Sequence, residues 1–243
     1  MTPPVEASRK DLFAALDIGS TKVTCVIAQG EGAEGMRVLG VGTYRSSGLR
    51  HGVVVDMDAT EAAVSNAVDS AEQMAGTRIE RVILGVSGAQ IRAHRLNAEV
   101  SVAGHAIQAA DVVRVIDSAS AALREAEDRA GIDSVPIHRI PVGFAVDGGA
   151  GVKDPTGMFG ENLSVDILLA TAAPGPVRNL ETAIQRCHLG IESLVVTAYA
   201  SGLSCLVDDE RDLGVTVIDM GGGTTSVAVF VEGYVVHVGV LPI

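Results

Sequence analysis

The 243-residue chain has no Trp, three Tyr and four Phe. That scarcity excludes the aromatic platforms on which single-stranded nucleic acid stacks, and it leaves Val, Ile, Leu and Ala to build the core. Basic residues are also few, with 18 Lys and Arg against 30 Asp and Glu and a formal net charge of -12 at pH 7. A surface this acidic argues against nucleic acid, and against an anionic membrane met through a basic face. Cys25, Cys187 and Cys205 are odd in number and far apart, form no C-x-x-C pair, and show no metal-ligand spacing with the histidines. Reduced thiols in a cytosolic protein are therefore expected. No run approaches the roughly 18 apolar residues of a membrane span. Residues 1–11 are polar and lack the apolar stretch of a signal peptide. The expectation is a soluble chain.

What is present is apolar and rich in glycine. Hydrophobic residues make up 47% of the chain, which rules out disorder for most of it, and its length suffices for one large or two modest domains. The 28 glycines point to tight turns or to backbone brought close to a ligand. Strand-like runs are expected at 12–18, 23–28 and 36–44, as a meander. Asp58-Ala59-Thr60-Glu61 reads as a capping box that opens a helix ending at Gly76. A buried strand follows at 81–86. From about 87 to 165 the pattern changes: a strand at 91–102, a helix at 110–130, a strand at 135–146 and a glycine-rich loop at 148–160. This set is expected to be a small inserted domain. Beyond it lie a strand at 163–171, a helix at 176–187 with Pro176 near its start, a strand at 191–196, a short helix at 198–206 and a charged loop at 208–212. Strands at 215–219, 225–231 and 234–240 complete the pattern.

The last three strands repeat the first. The run Leu16-Asp17-Ile18-Gly19-Ser20-Thr21-Lys22-Val23 has its counterpart in Ile218-Asp219-Met220-Gly221-Gly222-Gly223-Thr224-Thr225. Each is a β run with Asp second from its end, then a glycine-containing turn with hydroxyls, then a second β run. One such turn alone would be an ordinary hairpin. Two copies near opposite ends of the chain imply duplicated lobes.

The chemistry suits a nucleotide phosphate held between the two hairpins. Gly19, Gly221, Gly222 and Gly223 let backbone N–H groups approach an oxyanion. Ser20, Thr21, Thr224 and Thr225 add hydroxyl donors, and Lys22 adds a cation. Asp17 and Asp219 are placed to hold Mg²⁺, mostly through water.

These residues resemble the bacterial cell-division FtsA family of actin-like ATPases over almost the whole chain. Asp17 to Lys22 is similar to the family's first phosphate motif, and Asp219 to Thr225 to its second. The connecting segments are also similar: Gly48-Leu49-Arg50-His51-Gly52 through Asp56, Val86-Ser87-Gly88, Ile140-Pro141-Val142, Asp154-Pro155, and Asp209 through Val215. The resemblance implies an α/β, actin-like (ribonuclease H-like) ATPase fold carrying a small inserted α+β domain (FtsA-type SHS2). On it, residues 1–84 and 167–198 map to the first lobe, 85–166 to the insertion, and 199–243 to the start of an incomplete second lobe. It further implies binding of ATP with Mg²⁺ and self-association into filaments. It implies tethering of the tubulin-like FtsZ ring to the cytoplasmic face of the inner membrane through a C-terminal helix not found in this sequence, and contacts of later division proteins with the inserted domain.

Two features depart from the family pattern. Ser226 stands where most members have Asp, so a charge that would help position metal is missing. No dedicated general base is evident, and the expectation is at most a slow ATPase. The chain also ends where the family continues, so a fragment of a longer protein is expected. Alternative readings are a phosphotransferase of the same superfamily, which would need an acidic base near the cleft, and a pilus-assembly-type interaction scaffold. His138 is expected to be structural. Cys187-His188 is not expected to form a nucleophile–base pair, because neighbours along a helix do not face each other. The acidic helix at 110–130, with its interspersed Arg residues, is expected to be a solvated face laced with ion pairs.

Overall fold

The computed structural model describes residues 12–30, 35–88 and 90–243. The expectation for residues 1–11 lies outside them. Three strands open the chain as an antiparallel meander: β1 (Leu12–Ile18), β2 (Lys22–Gly30) and β3 (Met36–Arg45). A small hairpin of β4 (Leu49–Arg50) and β5 (Val53–Val54) leads into α1 (Met57–Ala75). Strands β6 (Arg81–Val86) and β11 (Gly190–Val196) join the meander parallel to β1 and each other, giving the order β11-β6-β1-β2-β3.

Period-2 alternation sets the faces of this sheet. Ala14, Leu16 and Ile18 of β1 point to the same side as Val23, Cys25 and Ile27 of β2, and all are buried against Ala63, Val64, Ala67 and Ala71 of α1. Asp17, between Leu16 and Ile18, is thereby turned to the opposite face. Two glycines in β3 let α1 sit directly on the sheet: a Cβ on Gly42 would lie 1.9 Å from the Ala67 carbonyl oxygen, and one on Gly40 2.2 Å from that of Ala71. The helix starts earlier than the expected box. Asp56 is the cap, its Oδ1 accepting from the Ala59 N–H at 3.0 Å, and Gly76 closes the helix in the left-handed region.

The middle of the chain forms a second sheet of order β7-β10-β8-β9, entirely antiparallel. Its members are β7 (Arg92–Ser101), β8 (Val135–Val146), β9 (Gly149–Val152) and β10 (Asn162–Ala172), with α2 (Ala109–Ala130) between β7 and β8. The glycine-rich segment is not wholly a loop, since it contains β9. Asp147 and Gly148 both take positive φ, 49° and 79°, and make the two-residue turn that returns β9 onto β8. One face of β10 packs Ile167 and Leu169 beneath Ala119 of α2, while the other buries Leu168, Ala170 and Ala172. Its second half, from Ile167 to Ala172, is buried at every position and is apolar except for Thr171. Asp111 is likewise not on the solvated face expected of α2. It is buried near the helix start, accepts from the Gln108 N–H at 3.0 Å and pairs with Arg114 at 2.8 Å. Farther along α2, Asp117 pairs with Arg139 of β8 at 3.1 Å.

After α3 (Pro174–Arg186), which starts two residues earlier than Pro176 with Pro174 in its first turn, the chain returns through β11 to α4 (Thr197–Cys205). Residues 208–212 are not a loop but most of a helical turn, α5 (Asp208–Leu213), where Glu210 Oε2 accepts from the Val207 N–H at 3.1 Å. A third sheet, β12 (Val215–Met220), β13 (Thr224–Val231) and β14 (Tyr234–Pro242), repeats the opening meander. Ala228, Phe230, Val235 and Val238 of this sheet pack against Leu168, Ala170, Val196 and Ala198, so the third sheet rests on the inserted unit and on α4. All three cysteines are free. Burial pushes the Cys25 thiol up to about 11, with Glu72 adding to the rise. It also raises Cys187, which accepts from Ser65 Oγ at 3.4 Å and is no activated nucleophile.

Candidate functional site

The two hairpin turns are built alike. In the first, the Gly19 N–H donates to the Lys22 carbonyl at 2.9 Å; in the second, the Gly221 N–H donates to the Thr224 carbonyl at 2.9 Å. Asp17 pairs across its hairpin with Thr24, and Asp219 pairs with Ser226 at the same step of the ladder. The repeat read in the sequence is thus a repeat in register. Directly paired residues share a face, so each carboxylate has a hydroxyl beside it.

The turns meet tip to tip. A Cβ on Gly222 would come 2.2 Å from Thr21 Cγ2, and one on Gly223 2.4 Å from Ser20 Oγ. Two of the three consecutive glycines are therefore required by contact between the two turns, a reason separate from room for a ligand. The segment Gly48 to Asp56 supports the first turn from behind. The Gly52 N–H donates to Ser20 Oγ at 3.2 Å, and the Gly52 backbone presses on Gly88 so closely that a Cβ there would sit 2.3 Å from the Gly52 carbonyl oxygen.

Between the turns lies a cavity of about 290 Å³. Asp17, Gly19, Ser20, Thr21 and Lys22 line it from one lobe, and Asp219, Gly221, Gly222, Gly223 and Thr224 from the other. Thr225 is not among the lining residues. Alternation along β13 puts Thr224 and Ser226 on the cleft side and turns Thr225 to the other. Ser226 does line the cavity and is itself buried.

Residues not picked out from the sequence line it too, notably Ser87 and Thr197. Their signal was positional. Asp17, Ser87 and Thr197 sit at or just beyond the carboxyl ends of β1, β6 and β11, the three mutually parallel strands, which is where an α/β sheet opens its crevice.

Charge in this cleft is unbalanced. Burial holds the Asp17 carboxyl above its usual range, the negative charge of Asp219 raises it further, and the Lys22 ammonium opposes both. Water reaches Asp17 through the cleft mouth even though protein walls it, with Gly85 close behind its Oδ1; screening there tempers the effect. Asp219 Oδ2 accepts from Ser201 Oγ of α4 at 3.4 Å. Thr24 Oγ1 and Thr197 Oγ1 are buried without a hydrogen-bond partner. Among the described residues no group of three or more His, Cys, Asp or Glu is placed to hold a metal ion by itself, so a cation here would complete its shell with water and a ligand's oxygens.

Two like hairpins facing across a cleft, each rooted in a meander and separated by an inserted sheet, define a protein of the actin-like ATPase fold. The solved structure described as "PilM-PilN type IV pilus biogenesis complex" matches this arrangement with a TM-score of 0.67 over 94% of this chain and 61% of that one, at 18% identity. The ethanolamine utilization protein EutJ from Carboxydothermus hydrogenoformans matches with a TM-score of 0.51 over 98% of this chain and 54% of that one, at 13% identity. Sequence places the chain more closely. The family model described as the SHS2 domain inserted in FtsA matches residues 88–171. The cell division protein FtsA of Rhizobium meliloti (strain 1021) is 40% identical over 96% of this chain and 54% of that protein. That of Pseudomonas aeruginosa is 34% identical over the same shares, and that of Escherichia coli (strain K12) 32% identical over 98% and 55%. Over nearly all of its residues the chain is thus similar to FtsA cell division proteins, and it spans about half the length of the curated relatives it matches.

Proposed function

We propose that this chain supplies the phosphate-holding part of a cleft for ATP with Mg²⁺ in an actin-like division protein. The protein assembles with itself and with FtsZ, and tethers the FtsZ ring to the cytoplasmic face of the inner membrane. The observation that carries this reading is the pair of Asp-bearing hairpins, alike in register and turn hydrogen bond, facing one another across a single cavity. Backbone N–H groups of the turns and the Lys22 ammonium would hold phosphate oxygens. Asp17 and Asp219 would hold the waters of a divalent cation, whose charge offsets that of the triphosphate. The residues fit such a group: burial and the negative charge of Asp219 both raise the Asp17 carboxyl, and a hydrated cation between the two carboxylates would relieve that repulsion. In this reading Asp17 and Asp219 are taken up by the cation and no other carboxylate or imidazole lines the cavity, so turnover is slow and the bound state of the nucleotide is what matters.

The domain limits follow the same reading, with a first lobe of 1–84 and 167–198, an inserted domain of 85–166 that meets later division proteins, and a second lobe beginning at 199. The four-stranded sheet and the family match at 88–171 support it. Among the described residues no helix is long and apolar enough to cross a membrane. The test is binding of a fluorescent ATP analogue to the full-length protein with and without Mg²⁺, followed by co-sedimentation of FtsZ with lipid vesicles. Saturable, Mg²⁺-dependent binding abolished by Asp17→Ala is expected. No binding by the full-length protein would overturn the nucleotide reading, and rapid phosphoryl transfer to a small substrate would replace it with a phosphotransferase.

A further inference from the structure

We infer that His138, a residue of the inserted domain, is a positioning residue for the cleft and acts through helix α4; this rests on the nucleotide reading above. The junction of β11 and α4 makes the connection. Val196 ends the strand, and its backbone N–H donates to His138 Nε2 at 3.0 Å. Accepting there fixes the neutral imidazole with its proton on Nδ1, a state that burial of the ring also favours. The next residue, Thr197, begins α4 and lines the cavity, and its hydroxyl is buried without a partner. Ser201, one turn on and on the same side of the helix, donates to Asp219.

Other positions of α4 hold it against both neighbours. Tyr199 sets its ring edge-on to His138, with centroids 5.1 Å apart at 73°, and stacks on Phe230 of β13 at 6.2 Å and 20°. Gly202 lies flat on Phe230, where a Cβ would come within 2.4 Å of the ring. One short helix is thus fixed to the inserted domain by the amide of its cap residue Val196 and an aromatic contact, while its cleft side holds one carboxylate through Ser201 and contributes Thr197 to the cavity wall. Loss of the His138 acceptor leaves the Val196 N–H buried and unpaired and frees the start of α4. Displacement of Thr197 and Ser201 follows. Conversely, a ligand that engages Thr197 or Asp219 changes the environment of the His138 ring.

The experiment uses the full-length protein and a fluorescent ATP analogue in Mg²⁺. His138→Ala is expected to weaken binding about two- to tenfold, the effect of losing one modest hydrogen bond. His138→Gln, whose side-chain carbonyl can accept from Val196, is expected to recover most of it. In the wild-type protein labelled at histidine, the His138 ring resonance is expected to shift when the analogue binds and to shift less in Ser201→Ala. If the wild type binds but the ring resonance stays put and His138→Ala binds equally well, the inference is overturned and the cleft reading stands. If the wild type binds nothing, both fall together. The ring measurement needs no substitution at His138, so it decides the matter even if His138→Ala fails to fold.

Discussion

Gly222→Ala tests whether the two lobes close on each other as the turns indicate. The added Cβ would lie 2.2 Å from Thr21 Cγ2, where ordinary contact begins at 3.4 Å, while Thr21 Cβ and Oγ1 lie at 3.2 Å. The turns must therefore part by about 1 Å, a displacement that can cost a preorganised site up to about a hundredfold. Expressed as affinity for an ATP analogue in the full-length protein, that is a loss of about 10- to 100-fold, or about 1.4 to 2.8 kcal/mol. Because only a side-chain tip is in the way, the fold itself should lose no more than about 1 kcal/mol, at the low end for overpacking. The clashing atom also names its own remedy. Thr21→Ser deletes Cγ2 and keeps the hydroxyl, so it should be near neutral alone and should restore most of the affinity when combined with Gly222→Ala. Non-additivity of that size is expected only between groups in contact. Isothermal titration on the wild type, the two single variants and the double variant gives the coupling directly. If Gly222→Ala binds as well as wild type, or if Thr21→Ser fails to rescue it, the turns do not touch in the working protein.

Three further outcomes follow from the same coordinates. Asp17→Asn should stabilise the unliganded protein while lowering nucleotide affinity far more than His138→Ala does. Its effect on stability has a definite sign with pH: the native Asp17 carboxyl is held above 3.8, so the folded state binds more protons there, and wild-type stability falls as pH rises through the window from 3.8 to the raised value. Urea unfolding from pH 4 to 7 should show that decline in the wild type and a flatter profile in Asp17→Asn. Gly42→Ala drives a Cβ into the α1 backbone at 1.9 Å and should cost about 3 kcal/mol, the upper end for overpacking. Thermal unfolding should then fall by about 6 to 12 °C at the usual 2 to 4 °C per kcal/mol for a chain of this size; Gly143→Ala, with nothing within 4 Å, serves as the neutral control. Ser226→Asp adds a third carboxylate beside Asp219 and should strengthen the Mg²⁺ dependence of nucleotide binding, read from cation titrations at fixed nucleotide.

The parts that were legible in the sequence owe this to local causes. Strand β1 could be read because Ala14, Leu16 and Ile18 alternate with exposed positions, and the cleft could be read because its turns are short, glycine-bearing and repeated. Boundaries slipped where two residues offered the same chemistry. Asp56 and Asp58 can both cap, and the helix took the first; Pro174 and Pro176 can both open α3, and the helix again took the first. Strand β9 was hidden by its glycines, although the Asp147-Gly148 turn that makes it is a common hairpin signal. Tertiary relations left no local trace at all. Nothing in the neighbourhood of His138 along the chain points to Val196, and nothing around Ser201 points to Asp219; both pairs exist because separate sheets converge on α4.

That convergence bears on Ser226, the hydroxyl paired across from Asp219. Ser226 is not an isolated loss of charge, since the matching position in the first hairpin, Thr24, is also a hydroxyl beside an aspartate. The cleft is therefore more nearly two-fold symmetric than one with a third carboxylate. Each hairpin carries one carboxylate, one hydroxyl paired across from it and one turn of backbone amides, although Ser226 lines the cavity and Thr24 does not. Burial and the one neighbouring carboxylate, Asp219, already disfavour ionisation of Asp17, and a further carboxylate on the same side would add to that repulsion in the empty state. A cleft with two is easier to keep closed without a cation and gains less when one arrives. Nucleotide should therefore be held with a weaker demand for Mg²⁺ than in a Ser226→Asp variant, and the empty protein should be the more stable of the two.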